Sequence, residues 1–293
     1  MNPTTKKRIT RKERKPLFVL VIPRFEDWGN SFYAGEVTKG VNFAASRLDV
    51  DILVHFTERK DHTRWLDGSL TDPFFVDGLL FADIDRDWDV VRTAIKSGMP
   101  TMVLNNTTSE PFNCIAINNR QAAKDAVDYL LGHGHRRIAH IAGDLNTQAG
   151  QDRLEGYYEA LEGAGLPKDK KLVKKGGFLR TPARTAAQAL LTMDERPTAI
   201  FAASDLMALE AVDAAKASGL KVPEDISVIG FDNNLSTVDG HAHLTTFEQS
   251  IADMARLGME NLYQMSLGLA KLPVKITLGV RFVKGRTVGS LKN

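Results

Sequence analysis

Lys221-Val-Pro-Glu-Asp-Ile-Ser-Val-Ile-Gly-Phe-Asp-Asn233 is an apolar run that ends abruptly in a carboxylate. From Ile226 to Phe231 it offers no polar face beyond Ser227, the pattern of a strand covered on both sides of a parallel sheet. Asp232 then stands where such a strand leaves the sheet, and open α/β folds bind ligands in the crevice beyond those ends. One segment thus proposes a fold and a site together.

Similar apolar runs recur at Leu17 to Ile22, Asp51 to Phe56, Gly78 to Ala82, Thr101 to Leu104, Ile138 to Ala142, Leu172 to Val173 and Ala199 to Ala203. Helix-period segments lie between them, at Phe32 to Leu48, Trp88 to Ser97, Gln151 to Gly163, Ala183 to Leu191 and Leu206 to Ser218. A further helix is expected over Ser250 to Leu267, with strands after Pro273. Ala123, Val127, Leu130 and Leu131 form a core-facing stripe, and Gly132 and Gly134 supply the freedom to end that helix. Such alternation argues for a parallel, doubly wound sheet. The strands fall into one series before about residue 118 and another after it. That division predicts two lobes.

The chain has 293 residues and a net charge of +2, with apolar and charged fractions of a soluble globular protein. No apolar run approaches the ~20 residues of a membrane span. The single cysteine, Cys114, excludes an internal disulfide, fits a reducing compartment and reads as a small core hydrophobe. Residues 1 to 16 hold seven basic side chains against Glu13 alone, a charge of +6 that leaves −4 for the remainder. This leader has no apolar periodicity and is expected to be disordered. Leu17 to Ile22 is short for a signal peptide, and Arg24, Glu26 and Asp27 follow where small residues would belong, so a cytoplasmic location is expected.

The positions just past the expected strands are polar: Arg24 to Trp28, Asp83, Asn105-Asn106, Asp144, Ser204-Asp205 and Asp232. A ligand rich in hydroxyls would meet donors and acceptors there in place of water, and an unmatched buried partner costs about 1–3 kcal/mol. For Asp83 and Asp144 ordinary loop polarity is the better account. Two metal-like patterns fail. Asp83 to Asp89 has alternate acids, but Trp88 occupies the position where a calcium loop needs glycine, and Ala94 stands where its last acidic ligand belongs. His133, His135 and His140 lack a Cys or acidic partner at zinc spacing. No nucleophile–base pair, Gly-rich phosphate loop or Gly-x-Ser-x-Gly elbow occurs. Neither an enzyme nor a metal or cofactor is expected.

Several phrases occur in a telling order. They are Val76-Asp-Gly-Leu-Leu, Gly98-Met-Pro-Thr-Met-Val-Leu, Gly134-His-Arg-Arg-Ile-Ala-His-Ile-Ala-Gly143 and Arg153-Leu-Glu-Gly-Tyr157. Pro197-Thr-Ala-Ile-Phe-Ala-Ala-Ser-Asp205, the Asp232 segment and Leu244-Thr-Thr-Phe-Glu-Gln249 complete the set. Together, over roughly Leu17 to Val288, they resemble the lactose-repressor (LacI/GalR) family of transcription regulators and the related periplasmic sugar-binding proteins. The resemblance implies an α/β architecture of two doubly wound parallel-sheet lobes with a ligand cleft between them, periplasmic-binding-protein-like of type I. It implies three crossings between lobes, near residues 118, 246 and 273. The expected division is a leader over 1–16, one lobe of 17–118 with 247–272, and another of 119–246 with 273–293. It also implies a ligand-sensing domain that binds a sugar or similar polyol, switches lobe orientation and works as a homodimer. The alternative, a solute-binding protein for a sugar transporter, requires export.

Residue by residue, Asp232 matches the acid with which the family binds sugar hydroxyls. Arg153 matches the arginine sent into the cleft from a helix start, and both side chains are expected to face a wet cleft. Ser204 and Asp205 open a helix, where either can contact ligand or act as a cap. Asn118-Asn119 replaces a pattern in which Asp is common, leaving Asn119 a neutral amide contact. Phe178, as a platform for a sugar face, and Gln249 match further positions, and packing explains each equally well. Trp28-Gly-Asn-Ser-Phe-Tyr33 resembles an Asn-Pro-Phe-Phe segment with one residue more and no proline. Trp28, Phe32 and Tyr33 are therefore stacking candidates only as a group.

The family resemblance further implies a helix-turn-helix ahead of the lobes, and the leader is too short to form one. Operator DNA is thus an expected partner only where such a head is supplied. The basic leader predicts weak duplex binding without sequence preference, lost steeply as salt rises. Deleting residues 1–15 should abolish it in a gel-shift assay. A footprint at a defined operator persisting near ~0.2 M salt would contradict this expectation.

Overall fold

The computed structural model of the chain describes residues 14–23, 31–57, 71–85, 87–234 and 243–291. The leader's residues 1–13 and Arg24 to Trp28, Trp28 included, lie outside them. Two compact units emerge: the chain up to Ala116 with Ile251–Ile276, and Ile117–Ser250 with the residues from Thr277 onward. Its crossings fall at 116/117, 250/251 and 276/277.

The first unit runs β1 (Leu17–Pro23), α1 (Phe32–Leu48), β2 (Asp51–Thr57), β3 (Gly78–Phe81), α2 (Trp88–Lys96), β4 (Thr101–Leu104) and β5 (Cys114–Ile117). The second continues with α3 (Asn119–Gly132), β6 (Ile138–Ala142), α4 (Gln148–Gly163), β7 (Val173–Lys175), α5 (Arg180–Leu191), β8 (Ala199–Ala202), α6 (Asp205–Ala217), β9 (Ser227–Ile229) and β10 (Thr246–Gln249). α7 (Ile251–Ser266) returns to the first unit, and β11 (Lys275–Leu278) and β12 (Val280–Val283) follow.

The first sheet has the order β11-β5-β4-β3-β1-β2, and the second unit's main sheet β7-β6-β8-β9. The pairings β1–β2, β1–β3, β3–β4, β4–β5, β6–β7, β6–β8 and β8–β9 are all parallel. In both units the first strand lies between the second and third, so winding reverses beside it. That reversal places a crevice at the carboxyl ends of β6 and β8. β10 and β12 pair antiparallel, and single bridges Ile229–Thr245 and Asp232–Glu248 carry the ladder from the β9 segment to β10.

Burial explains the strand sequences. Ile200 and Ala202 of β8 join one apolar cluster and Ala199 and Phe201 the opposite one, so both faces of this strand are covered. Polar residues start the helices: Ser31, Asn118, Thr147 and Ser204 each accept a backbone N–H two or three residues into the following helix. α3 and α4 pack closely because Gly156 has no side chain; a Cβ there would strike the Arg120 carbonyl. Ala123, Val127 and Leu130 are buried as the stripe predicts, and Leu131 is half-buried.

Some boundaries differ from expectation. β5 was not anticipated, because its four residues follow an irregular stretch and carry little periodic signal. α4 begins at Gln148, three residues early, since Thr147 caps it. α5 begins at Arg180, with Pro182 tolerated in its first turn, where its missing N–H has no helical partner to lose. The β9 ladder stops at Ile229, yet Gly230 and Asp232 still donate backbone hydrogen bonds to Thr245 and Phe247.

His140 of β6 is fully buried, stacked against the rings of Tyr157 and Phe201 at centroid separations of 5.1 and 4.8 Å. Its Nδ1–H donates to the Phe201 carbonyl, since a carbonyl can only accept. Burial pushes the imidazole down to about 4. As pH falls below about 6.5 the unfolded chain takes up a proton that the folded one refuses, so this group costs stability progressively down to about pH 4. The full loss is on the order of 3 kcal/mol. The urea midpoint should therefore drop more between pH 7 and 4.5 in the native chain than in His140→Leu. Equal drops would refute this account.

Candidate functional site

Arg153, on the second turn of α4, sends its guanidinium to the carboxyl ends of the second unit's strands. Its side chain is only 4% exposed. Nε donates to Asn119 Oδ1 at 3.0 Å, and Nη1 to the Ala203 carbonyl at 2.5 Å. The guanidinium carbon lies 3.9 Å from the Phe231 ring centroid and 5.7 Å from that of Phe178. Asp232 Oδ1 lies 3.8 Å from Nη1, an ion pair without direct hydrogen-bond contact. Burial lowers the guanidinium to about 10, with Asp232 the main group opposing that fall, so it stays charged at neutral pH.

Asp232 itself is 14% exposed and accepts a hydrogen bond from the Gln249 side-chain amide. Burial raises its carboxyl to about 7; Arg153 pulls it down and Asp205 adds to the rise. Its φ of 132° and the 57° of Asn233 are backbone values that ordinary residues avoid. Neighbouring bonds hold them there: the Asp232 amide donates to Phe247 O and the Asn234 amide to Asp205 Oδ2.

Asp205 is committed to the fold. Its carboxylate accepts from the Thr246 hydroxyl at 2.6 Å and the Asn234 amide at 2.8 Å, tying α6 to β10 and to the residues after Asp232. Ser204 caps α6 by accepting from Met207 N at 3.3 Å. Asn119 serves Arg153 with its oxygen while its amide donates to Ile117 O. Phe178, at φ 64°, lays its ring across Gly143, where a Cβ would overlap it. Asp232, Arg153, Asn119, Gln249, Asp205, Ser204 and Phe178 thus gather within the second unit. Phe32 and Tyr33 open α1 in the first unit, where the Tyr33 hydroxyl donates to the Ala82 carbonyl.

One expectation needs correction. Arg153 and Asp232 are not freely solvated: the arginine is packed on an aromatic ring and hydrogen-bonded on two sides. The sequence reading also missed Phe231, Thr246 and Asn234. Phe231 was legible only as a strand core residue, although its place beside Asp232 sets it beneath the guanidinium. Among the described residues no group of three or more His, Cys, Asp or Glu is placed to hold a metal ion. None of the described helices is long and apolar enough to cross a membrane.

Doubly wound parallel units with polar groups converging at strand carboxyl ends define a ligand-binding protein of periplasmic-binding-protein type. Residues 127–288 match the family described as periplasmic binding protein-like domain. The HTH-type transcriptional regulator DegA of Bacillus subtilis is 31% identical over 91% of this chain and 79% of its own length. The HTH-type transcriptional regulator CelR of Thermobifida fusca is 35% identical over 84% and 73%. A solved structure titled transcriptional regulator CelR-cellobiose complex superposes with a TM-score of 0.85 at 30% identity, covering 94% of this chain and 85% of that one. The chain belongs to the LacI family of transcription regulators, and the matching region is their effector domain.

Removing one partner from a buried charge network costs about 3–5 kcal/mol, whereas removing an N-cap hydroxyl costs about 1 kcal/mol. Urea unfolding should therefore show Arg153→Ala losing several times the stability lost by Ser204→Ala. A near-neutral Arg153→Ala would return that side chain to solvent and void the network described above.

Proposed function

We propose that the chain is the ligand-sensing part of a cytoplasmic, homodimeric LacI-type regulator whose effector is a sugar or similar polyol. Asp232 acts as hydroxyl acceptor, Arg153 as donor and Phe178 as a platform for the apolar face of the ring. Gln249, Asn119 and Asp205 hold these groups in place, and Ser204 retains a hydroxyl proton to donate. Phe32, Tyr33 and Trp28 remain candidate stacking residues contributed by the first unit's sequence. Effector binding shifts the balance between two states of the regulator and thereby its affinity for operator DNA, which a helix-turn-helix reads.

The observation that supports this reading most is the juxtaposition of Arg153 and Asp232 at the crevice of the second sheet. A buried acceptor and donor held side by side suit vicinal hydroxyls, which give and receive hydrogen bonds at once. Kinship with a regulator whose structure is titled as a cellobiose complex points the same way. The transporter alternative lacks comparable support, since the relatives named above are regulators.

A thermal-shift screen over mono- and disaccharides, nucleosides and amino acids tests the proposal. A sugar that binds the folded chain stabilises it by about 2.7 kcal/mol at one hundred times Kd, so its melting temperature rises with concentration. Asp232→Ala should lose that response. A response confined to nucleosides or amino acids would overturn the sugar assignment.

A further inference from the structure

Two carboxylates, Asp205 and Asp232, share one buried neighbourhood with a single guanidinium, and they are held differently. Asp205 opens α6, where the helix dipole favours an anion. It also receives the Thr246 hydroxyl and the backbone amides of Asn234 and Asn233. Asp232 receives fewer donors, the neutral side-chain amide of Gln249 and the backbone amide of Asp205. Arg153, the cation that would hold it ionised, spends Nε and Nη1 on the neutral oxygens of Asn119 and Ala203 and stays 3.8 Å away. Burial raises the Asp205 carboxyl too, but by its donors Asp232 is the poorer place of the pair for a negative charge.

We infer that, without effector, this pair keeps a proton on Asp232, and that a hydroxyl-bearing effector expels it to solvent on binding. This rests on the reading of Asp232 as an effector contact. A hydroxyl donating to Asp232 supplies the hydrogen bond that the carboxylate lacks, and hydrogen bonding to the charged form favours that form. A second hydroxyl accepting from Arg153 would bridge the two groups. Binding then becomes a proton-releasing event, and the regulator would respond less to its effector in acid.

Other titratable groups of the second unit near the pair have partners or shifts of their own. Glu248, bridged to Asp232 on β10, is paired with Arg281 of β12 and accepts from Asn233. Asp152, next to Arg153 on α4, is raised to about 6 by its own burial and by Glu155. Buried His140 on β6 stays neutral down to about pH 4. Burial, opposed by Arg153 and reinforced by Asp205, raises the Asp232 carboxyl to about 7.

Two measurements on the 293-residue chain decide the matter. The first needs no ligand. A carboxyl whose folded value exceeds its unfolded one holds a proton that the unfolded chain releases, so its stability contribution is lost as pH rises from about 4 to about 7. Asp232→Asn should therefore lose less stability than the native chain between pH 5 and 7.5, by the slope of one proton. Identical profiles would remove the proton and the proposal with it. The second measurement is calorimetric titration with cellobiose between pH 5.5 and 8.5, in buffers of different ionisation enthalpy. The expected result is an affinity that falls up to tenfold per pH unit below about 7 and levels off above it, with about half a proton released at pH 7. Tight binding that is flat with pH would overturn the displacement while leaving the sugar reading intact. If no sugar in the screen binds at any of these pH values, the sugar reading and the displacement fall together, and the first measurement still reports the proton.

Discussion

The Arg153 guanidinium lies buried at the carboxyl ends of the second sheet, and a charge taken out of water costs several kcal/mol unless protein groups replace its hydration. Three elements supply the replacement. The start of α3 gives Asn119, the end of β8 gives the Ala203 carbonyl, and the end of the β9 segment gives the Phe231 ring and the Asp232 carboxylate. The fit between α3 and α4, with Gly156 at their contact, sets where the arginine emerges relative to Asn119. A small displacement of any of these would leave a charge poorly solvated, so the arginine fixes the mutual placement of strand ends as firmly as the apolar core beneath it.

The two acids beside that arginine illustrate how one polar rim serves two demands. Loops leaving a parallel sheet must satisfy the first amides of the next helix and the last groups of the strand, or bury them unpaired. Ser204 and Asp205 meet those demands, and Asn119 supports the arginine. What remains for chemistry is narrower than the polar rim suggests: Asp232, Arg153 and the ring of Phe178. Positive φ at Asp232, Asn233 and Phe178 marks the places where backbone comfort yields to side-chain position.

Much of this could be read in the sequence because the strong signals are local. Unbroken apolar runs such as Leu17 to Ile22 and Ala199 to Ala203 announce strands covered on two faces, and their alternation with helix-period segments gives the parallel winding. Asp232 and Arg153 stood out by position and motif. The partners did not, because they are distant in sequence: Arg153 meets Asn119 and Ala203 across 34 and 50 residues, and Asp205 meets Thr246 across 41. Phe231 looks the same in sequence whether it packs on leucines or beneath a guanidinium. β5 escaped notice for a different reason. Its four residues follow an irregular stretch, and only pairing with β4 and β11 makes them a strand.

Charge balance narrows the proposed effector further. An anion would pair with Arg153 but would face the Asp205 carboxylate in a poorly hydrated site, where like charges repel strongly. A cation would suit the two acids but would sit beside the fixed guanidinium. A neutral molecule avoids both penalties, provided that it carries a donor for Asp232 and an acceptor for Arg153. Arg153 Nη2 has no hydrogen-bond partner among the described residues, so an acceptor there would complete the guanidinium's hydrogen bonding rather than displace an existing bond. The partly buried ring of Phe178 adds an apolar surface 5.7 Å from the Arg153 guanidinium. Adjacent hydroxyls on one edge of a ring and C–H groups on its face combine these properties in one small neutral molecule. The site chemistry therefore favours a sugar over charged metabolites of similar size.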